Sequence, residues 1–200
     1  MLPFTRFIGL FLEWTCHGVP WLLLNILWLS VLWSSGAKFS AATACAPVPL
    51  SSWSLLSWFS GSYTNDYTNQ WSKALVLLFA LLFDLSMVGL LKSFVRRPRP
   101  TEDQSSDMWL TVPQDAWSFP SGHASRAVLT LFLLHHLMRF QPWQLAGYLA
   151  WCLTICVSRY AMRRHHATDI LAGILLGFVE YLFVISIDWP VILQTLVFTK

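Results

Sequence analysis

The stretch "WSKALVLLFALLFDLSMVGLLK", residues 71 to 92, decides what kind of fold this chain can have. Its apolar residues run almost unbroken between Trp71 and Lys92, with one acid, Asp84, inside. Crossing a bilayer as a helix takes roughly 20 mostly apolar residues. A charge within such a run is costly and turns toward the bundle interior. Asp84 and Lys92 are eight apart, so they share one helix face about two turns apart.

The rest of the chain has the same character. Of its 200 residues, 56% are hydrophobic and 12% charged, about half the charged share of an ordinary globular domain. Trp33, Trp71, Trp109, Trp143 and Trp189 fall near the edges of apolar runs, where amphipathic rings sit at a membrane surface. The net charge of +3 is too small to suggest nucleic acid. Cys16, Cys45, Cys152 and Cys156 show neither a Cys-x-x-Cys pair nor zinc spacing. Cys152 and Cys156, four apart, are expected to pack on one helix face as small core residues.

Residues 1 to 18 read as an interfacial helix, without a small-residue cleavage site after Glu13. A first span is expected within Trp14 to Ala37, with Pro20 in its first turn. Residues 38 to 72 are rich in Ser, Thr and Asn and read as a loop or re-entrant region. The quoted stretch is the second span. A polar loop over 93 to 121 precedes a third span from Gly122 to Met138, a fourth from Trp143 to Ser158 and a fifth from Asp169 to Ile187. The expectation is an all-α polytopic membrane bundle forming one domain over residues 1 to 200. It has about five transmembrane helices, an N-terminal interfacial helix and its active site at one membrane face.

An even number of crossings separates the loop after span two, the start of span three and the loop after span four. Three polar clusters therefore meet at one end: "KSFVRRPRP" (92–100), "SFPSGHASR" (118–126) and "SRYAMRRHHATD" (158–169). They hold Lys92, Arg96, Arg97, Arg99, Arg126, Arg159, Arg163 and Arg164, eight of the 13 basic residues, with His123, His165 and His166. Loops that collect Lys and Arg follow a topology rule, but that rule accounts for neither the histidines nor "PSGH". Phosphate does, because its dense charge wants several cations and oriented N–H donors. The start of span three, at Pro120, Ser121 and Gly122, offers unpaired N–H groups to an anion. His123 faces what binds there as a proton donor. His165 and Asp169 share a face if the fifth helix begins by His165, so the carboxylate would hold one ring nitrogen and free the other for attack. Arg159 can bridge two phosphate oxygens.

These residues resemble the type-2 phosphatidic acid phosphatase superfamily. Lys92 followed after six residues by Arg99-Pro100 is its first motif, "PSGH" at 120 to 123 its second, and Ser158-Arg159, His165 and Asp169 its third. "FLEWTCHGVPWLL", the context from Trp117 to Ala127, and "HHATDILAG" are similar to the branch of polyisoprenoid diphosphate phosphatases that includes presqualene diphosphate phosphatase. The resemblance implies Lys92, Arg99, Ser121, Gly122 and Arg159 as phosphate ligands, His123 as acid, His165 as nucleophile and Asp169 as supporting carboxylate. Arg97-Pro98 and His166 offer second registers, but only Arg99 and His165 keep the spacing; the flanking Arg96, Arg97, Arg163, Arg164 and His166 would tune the field or bind a second phosphate. The function implied is a metal-independent phosphohydrolase for a farnesyl, geranylgeranyl or presqualene diphosphate, with no cofactor. A broader phosphatidate or sphingosine phosphate phosphatase and a non-catalytic scaffold are the alternatives. Its expected surroundings are membrane lipids of the endoplasmic reticulum and nuclear envelope, without nucleic acid. His17, His135, His136, Asp84 and Glu180 are expected to be structural.

Overall fold

The computed structural model describes residues 3–36, 70–100, 117–189 and 192. Among them are six helices and no strands: α1 (Pro3–Thr15), α2 (Gly18–Ser34), α3 (Gln70–Val95), α4 (Gly122–Met138), α5 (Pro142–Ala161) and α6 (Ala167–Ser186). The helices expected from the apolar runs are all present, within a few residues of their predicted ends. The region 38–72, apart from the first turn of α3, lies outside the described residues, as do Cys45 and Trp109.

α4 is the centre of the bundle. Nearly all its side chains are buried, and α3, α5 and α6 pack around it. Its most extensive contact is with α6. Gly173 and Gly177, one turn apart on α6, lie against the carbonyls of Ser121 and Ser125, one turn apart on α4; a Cβ on either glycine would run into those oxygens. Small residues four apart on facing helices let two backbones approach where lipid gives no hydrophobic drive. Leu77, Leu81, Leu129, Leu133, Tyr181 and Val184 close the far half of the bundle around this seam.

α3 buries Ala74, Leu77, Leu81, Asp84, Val88 and Lys92, a stripe at three- and four-residue spacing. Asp84 and Lys92 thus share the inner face, as expected. α2 lies on α3, and Asn25 donates to the Ala74 carbonyl at 3.1 Å. Leu23, Leu24, Leu27 and Val31 on its other side are exposed, as lipid-facing residues would be. His17 caps α2, its Nδ1 accepting the Val19 N–H at 3.3 Å. α1 packs against α5 and meets α2 at a 42° break.

Among the described residues, α3 and α6 are each long and apolar enough to cross a membrane on their own, and the bent pair α1–α2 would make a third such span. α4 has only 17 residues, and it buries Ser125, Arg126, Thr130, His135 and His136. A helix wrapped by its neighbours touches little lipid, so its composition is freed from the apolar requirement. Trp33 and Trp143 are exposed at helix ends, as expected of interfacial rings, but Trp189 is buried. Its Nε1 donates to the Val184 carbonyl at 2.9 Å and its ring meets Phe79 edge-on.

The seam yields a direct check. Gly177→Ala should cost about 1–3 kcal/mol through overpacking. Gly147→Ala, on an exposed part of α5 with nothing near its missing Cβ, should hold or raise stability. Unfolding midpoints of the two variants in detergent would separate them; equal midpoints would mean the α4–α6 contact is looser than described.

Candidate active site

Lys92 reaches the site from the last turn of α3, where it is buried. Four residues later Arg96 turns left-handed (φ 49°), and its N–H bonds the Lys92 carbonyl at 3.0 Å, ending the helix. The strand of chain that follows is tied to the segment before α4. The Ser118 N–H donates to the Arg97 carbonyl at 2.9 Å, and its hydroxyl donates to the Pro98 carbonyl at 3.0 Å. Ser118 in turn fixes His165: Nδ1 lies 2.7 Å from the Ser118 carbonyl. A carbonyl only accepts, so Nδ1 carries the proton and Nε2 keeps the lone pair.

Ser121 caps α4, its hydroxyl accepting the Ala124 N–H at 3.5 Å, and its own N–H donates to the Asp169 carbonyl at 3.0 Å. Gly122 sits against Val88, where a Cβ would crowd Cγ1 at 3.0 Å. Arg159 projects from the last turn of α5 and pairs with Glu13 at 3.0 Å. Arg126, one turn after His123, pairs with Asp84 at 2.6 Å. Ser125 bridges the two interior acids, at 2.8 Å to Asp84 and 3.2 Å to Glu180, the structural placement expected for both.

These elements enclose a cavity of about 340 Å³. Lys92, Arg99, Gly122, His123, Arg159 and His165 line it together, so six of the eight sequence-derived residues from three distant segments share one chamber. Ser121 and Asp169 are buried and not among its lining residues. Val19, Leu22, Leu85, Val88 and Gly89 of α2 and α3 give the chamber an apolar side.

Asp169 does not hold His165 as expected. α6 begins at Ala167, so His165 precedes the helix and the shared-face reasoning fails for it. Asp169 instead forms a capping box: its carboxylate accepts the His166 N–H at 2.8 Å and meets His166 Nδ1 at 3.1 Å. Arg97 completes the group at 2.8 Å from Asp169 and 2.7 Å from the Thr168 hydroxyl. Arg97 and His166 are thus engaged with the α6 start and are not among the cavity residues.

Sequence reading missed Ser118, Glu13 and a second role for His17, which lines the cavity with its ring 6.2 Å from that of His123. The acid and the histidine four residues apart in "FLEWTCHG" were the available signal.

Residues 73–192, more than half of the chain, match the model of the PAP2 superfamily. The chain belongs to that superfamily. Over 131 residues it is 33% identical to the probable lipid phosphate phosphatase beta of Arabidopsis thaliana, covering 53% of this chain and 61% of that protein. It is 29% identical over 132 residues to phosphatidylglycerophosphatase B of Bacillus subtilis (strain 168), covering 61% of each. The chain thus spans about three fifths of the length of these relatives. No solved structure matches. The PAP2 match takes in every sequence-derived site residue, whereas Glu13 and His17 precede it.

Burial first, and then the charges of Arg99 and Lys92, hold the His165 imidazole well below the usual histidine range. The unfolded chain therefore binds the extra proton first as pH falls. The stability His165 contributes is present above about 6.5 and is lost below it, down to the lowered folded value. Titration of histidine-labelled protein by NMR should place the His165 midpoint well below 6.5, and Arg99→Gln should move it upward. A midpoint near 6.5 that ignores Arg99 would contradict this electrostatic picture.

Proposed function

We propose that the chain is a membrane lipid phosphatase that removes phosphate from polyisoprenoid diphosphates through a phosphohistidine. One observation carries the reading. His165, with its proton fixed on Nδ1 by Ser118, shares one cavity with Lys92, Arg99, Arg159 and an apolar wall.

His165 Nε2 attacks the terminal phosphorus in line, and the bond from phosphorus to the leaving oxygen breaks as the N–P bond forms. His123 gives that oxygen a proton. Lys92, Arg99, Arg159 and the first N–H groups of α4 hold the equatorial oxygens, where transition-state charge accumulates. Water, deprotonated by His123, then attacks the phosphohistidine, releasing phosphate and restoring His165. The Ser118 carbonyl steadies the developing imidazolium through Nδ1–H, and Asp169 positions the loop by holding Arg97 and the α6 start. The apolar wall suits a hydrocarbon tail passing between α2 and α3. Each step uses imidazole, ammonium and guanidinium groups, so activity is expected to survive a chelator.

A monophosphate lipid is the second reading. It is favoured by the carboxylates already paired with Arg97, Arg126 and Arg159, which leave less positive charge for a second phosphate. The names of the two relatives, a lipid phosphate phosphatase and a phosphatidylglycerophosphatase, point the same way. Comparing kcat/KM on a diphosphate and a monophosphate of equal chain length decides between them; the diphosphate should lead.

Rapid quench with a substrate labelled on its terminal phosphate should trap label on His165. His123→Ala should slow turnover by about 10²–10⁴-fold, most for poor leaving groups. Label on another residue would remove the assignment of His165. Inactivity of the folded protein on every lipid phosphate would leave the scaffold reading.

A further inference from the structure

Arg159 has no idle nitrogen. Its Nη1 is 3.0 Å from Glu13 Oε1, its Nη2 donates to the Gly9 carbonyl at 3.3 Å, and its Nε lies 3.5 Å from the Ser158 hydroxyl. Nη2 also reaches the Met162 sulfur at 3.5 Å, so four of the five N–H donors are engaged, and a phosphate that takes two, as a guanidinium fork allows, must displace a resident acceptor. Glu13 is the one carboxylate lining the cavity among the described residues, and it is 2% exposed. It already stands where an anion would meet Arg159.

Its other oxygen shows where it can go. Oε2 is buried and makes no hydrogen bond, and it lies 3.8 Å from Arg164 Nη2. Arg164 is itself 2% exposed, and both its Nε and Nη2 lack hydrogen-bond partners. Buried guanidinium donors left unmade are costly. A carboxylate between one satisfied and one unsatisfied arginine has two places of comparable use.

We propose that Glu13 is an exchangeable counter-anion: it occupies Arg159 in the empty site and passes to Arg164 when phosphate arrives. This rests on the phosphatase reading of the same chamber. Glu13 thereby sets how tightly the site holds phosphate, substrate headgroup and product alike. It keeps Arg159 from meeting the empty chamber as an uncompensated charge, and it competes with released phosphate. A carboxylate that only props Arg159 in place has the opposite signature, because its removal would weaken phosphate binding.

Inorganic phosphate is the probe, read both as an inhibitor of lipid phosphate hydrolysis and by calorimetric binding to the full chain in detergent. Glu13→Gln keeps the side chain's volume and removes its charge. It should tighten phosphate about tenfold and lower KM, with kcat unchanged or reduced by slower release. Arg164→Gln removes the waiting partner from outside the cavity and should weaken phosphate severalfold. Weaker phosphate with Glu13→Gln, or an unchanged constant, overturns the proposal. Should Glu13→Gln fail to fold, Arg164→Gln decides alone: weakened phosphate supports exchange and an unchanged constant rejects it. A wild-type chain that neither hydrolyses lipid phosphate nor binds inorganic phosphate would remove the underlying phosphatase reading. A wild-type chain that does both, with unshifted variants, removes only the role of Glu13.

Discussion

The close approach of α4 and α6 is the constraint on which the rest of the structure depends. Gly173 and Gly177 let the α6 backbone reach the carbonyls of Ser121 and Ser125. That contact sets the starts of both helices side by side, and the Ser121 N–H joins them by bonding the Asp169 carbonyl. His123 enters the chamber from one helix start, and His165 stands just before the other. Two imidazoles 42 residues apart in the chain thus owe their meeting to residues that carry no functional group at all.

Around that seam three arginines are each matched to a carboxylate. Arg97 has Asp169, Arg126 has Asp84 and Arg159 has Glu13. Burying a charge without a partner is expensive, and removing one member of a buried pair typically costs about 3–5 kcal/mol. The local pairings keep a cationic chamber stable when no anion is present. They also divide the labour, since Arg97 organises a helix start, while Arg126 and Arg159 line the cavity and Arg126 also ties α4 to α3 and the end of α1. Arg96, Arg139 and Arg163 take left-handed backbone at chain turns where glycine is the usual choice. At the ends of α3 and α4, Arg96 and Arg139 thereby set a positive charge against the negative end of a helix.

Much of this was legible in the sequence. Long apolar runs specify their helices strongly, and counting crossings was enough to bring Lys92, His123 and His165 to one end. What the residues concealed depended on a boundary or on an unrelated segment. The pairing of His165 with Asp169 failed because α6 starts two residues past His165, and helix boundaries follow from capping chemistry that His166 supplies here. Ser118 was hidden because it acts through its backbone carbonyl, which any residue type possesses. Glu13 was hidden because its partners lie about 150 residues further on. The burial of Trp189 depends on Phe79 and Val184, which no local pattern brings together.

The composition of α4 has a consequence for how the molecule is made. A segment carrying Arg126, Thr130, His135 and His136 on its buried surface gains little by dissolving alone in hydrocarbon, where a central arginine is disfavoured. Its partners are the carboxylate of Asp84 on the preceding helix and the hydroxyl of Tyr148 on the next, which donates to Thr130. The polar surface of α4 therefore favours its entering lipid together with α3 and α5, the helices that carry its partners.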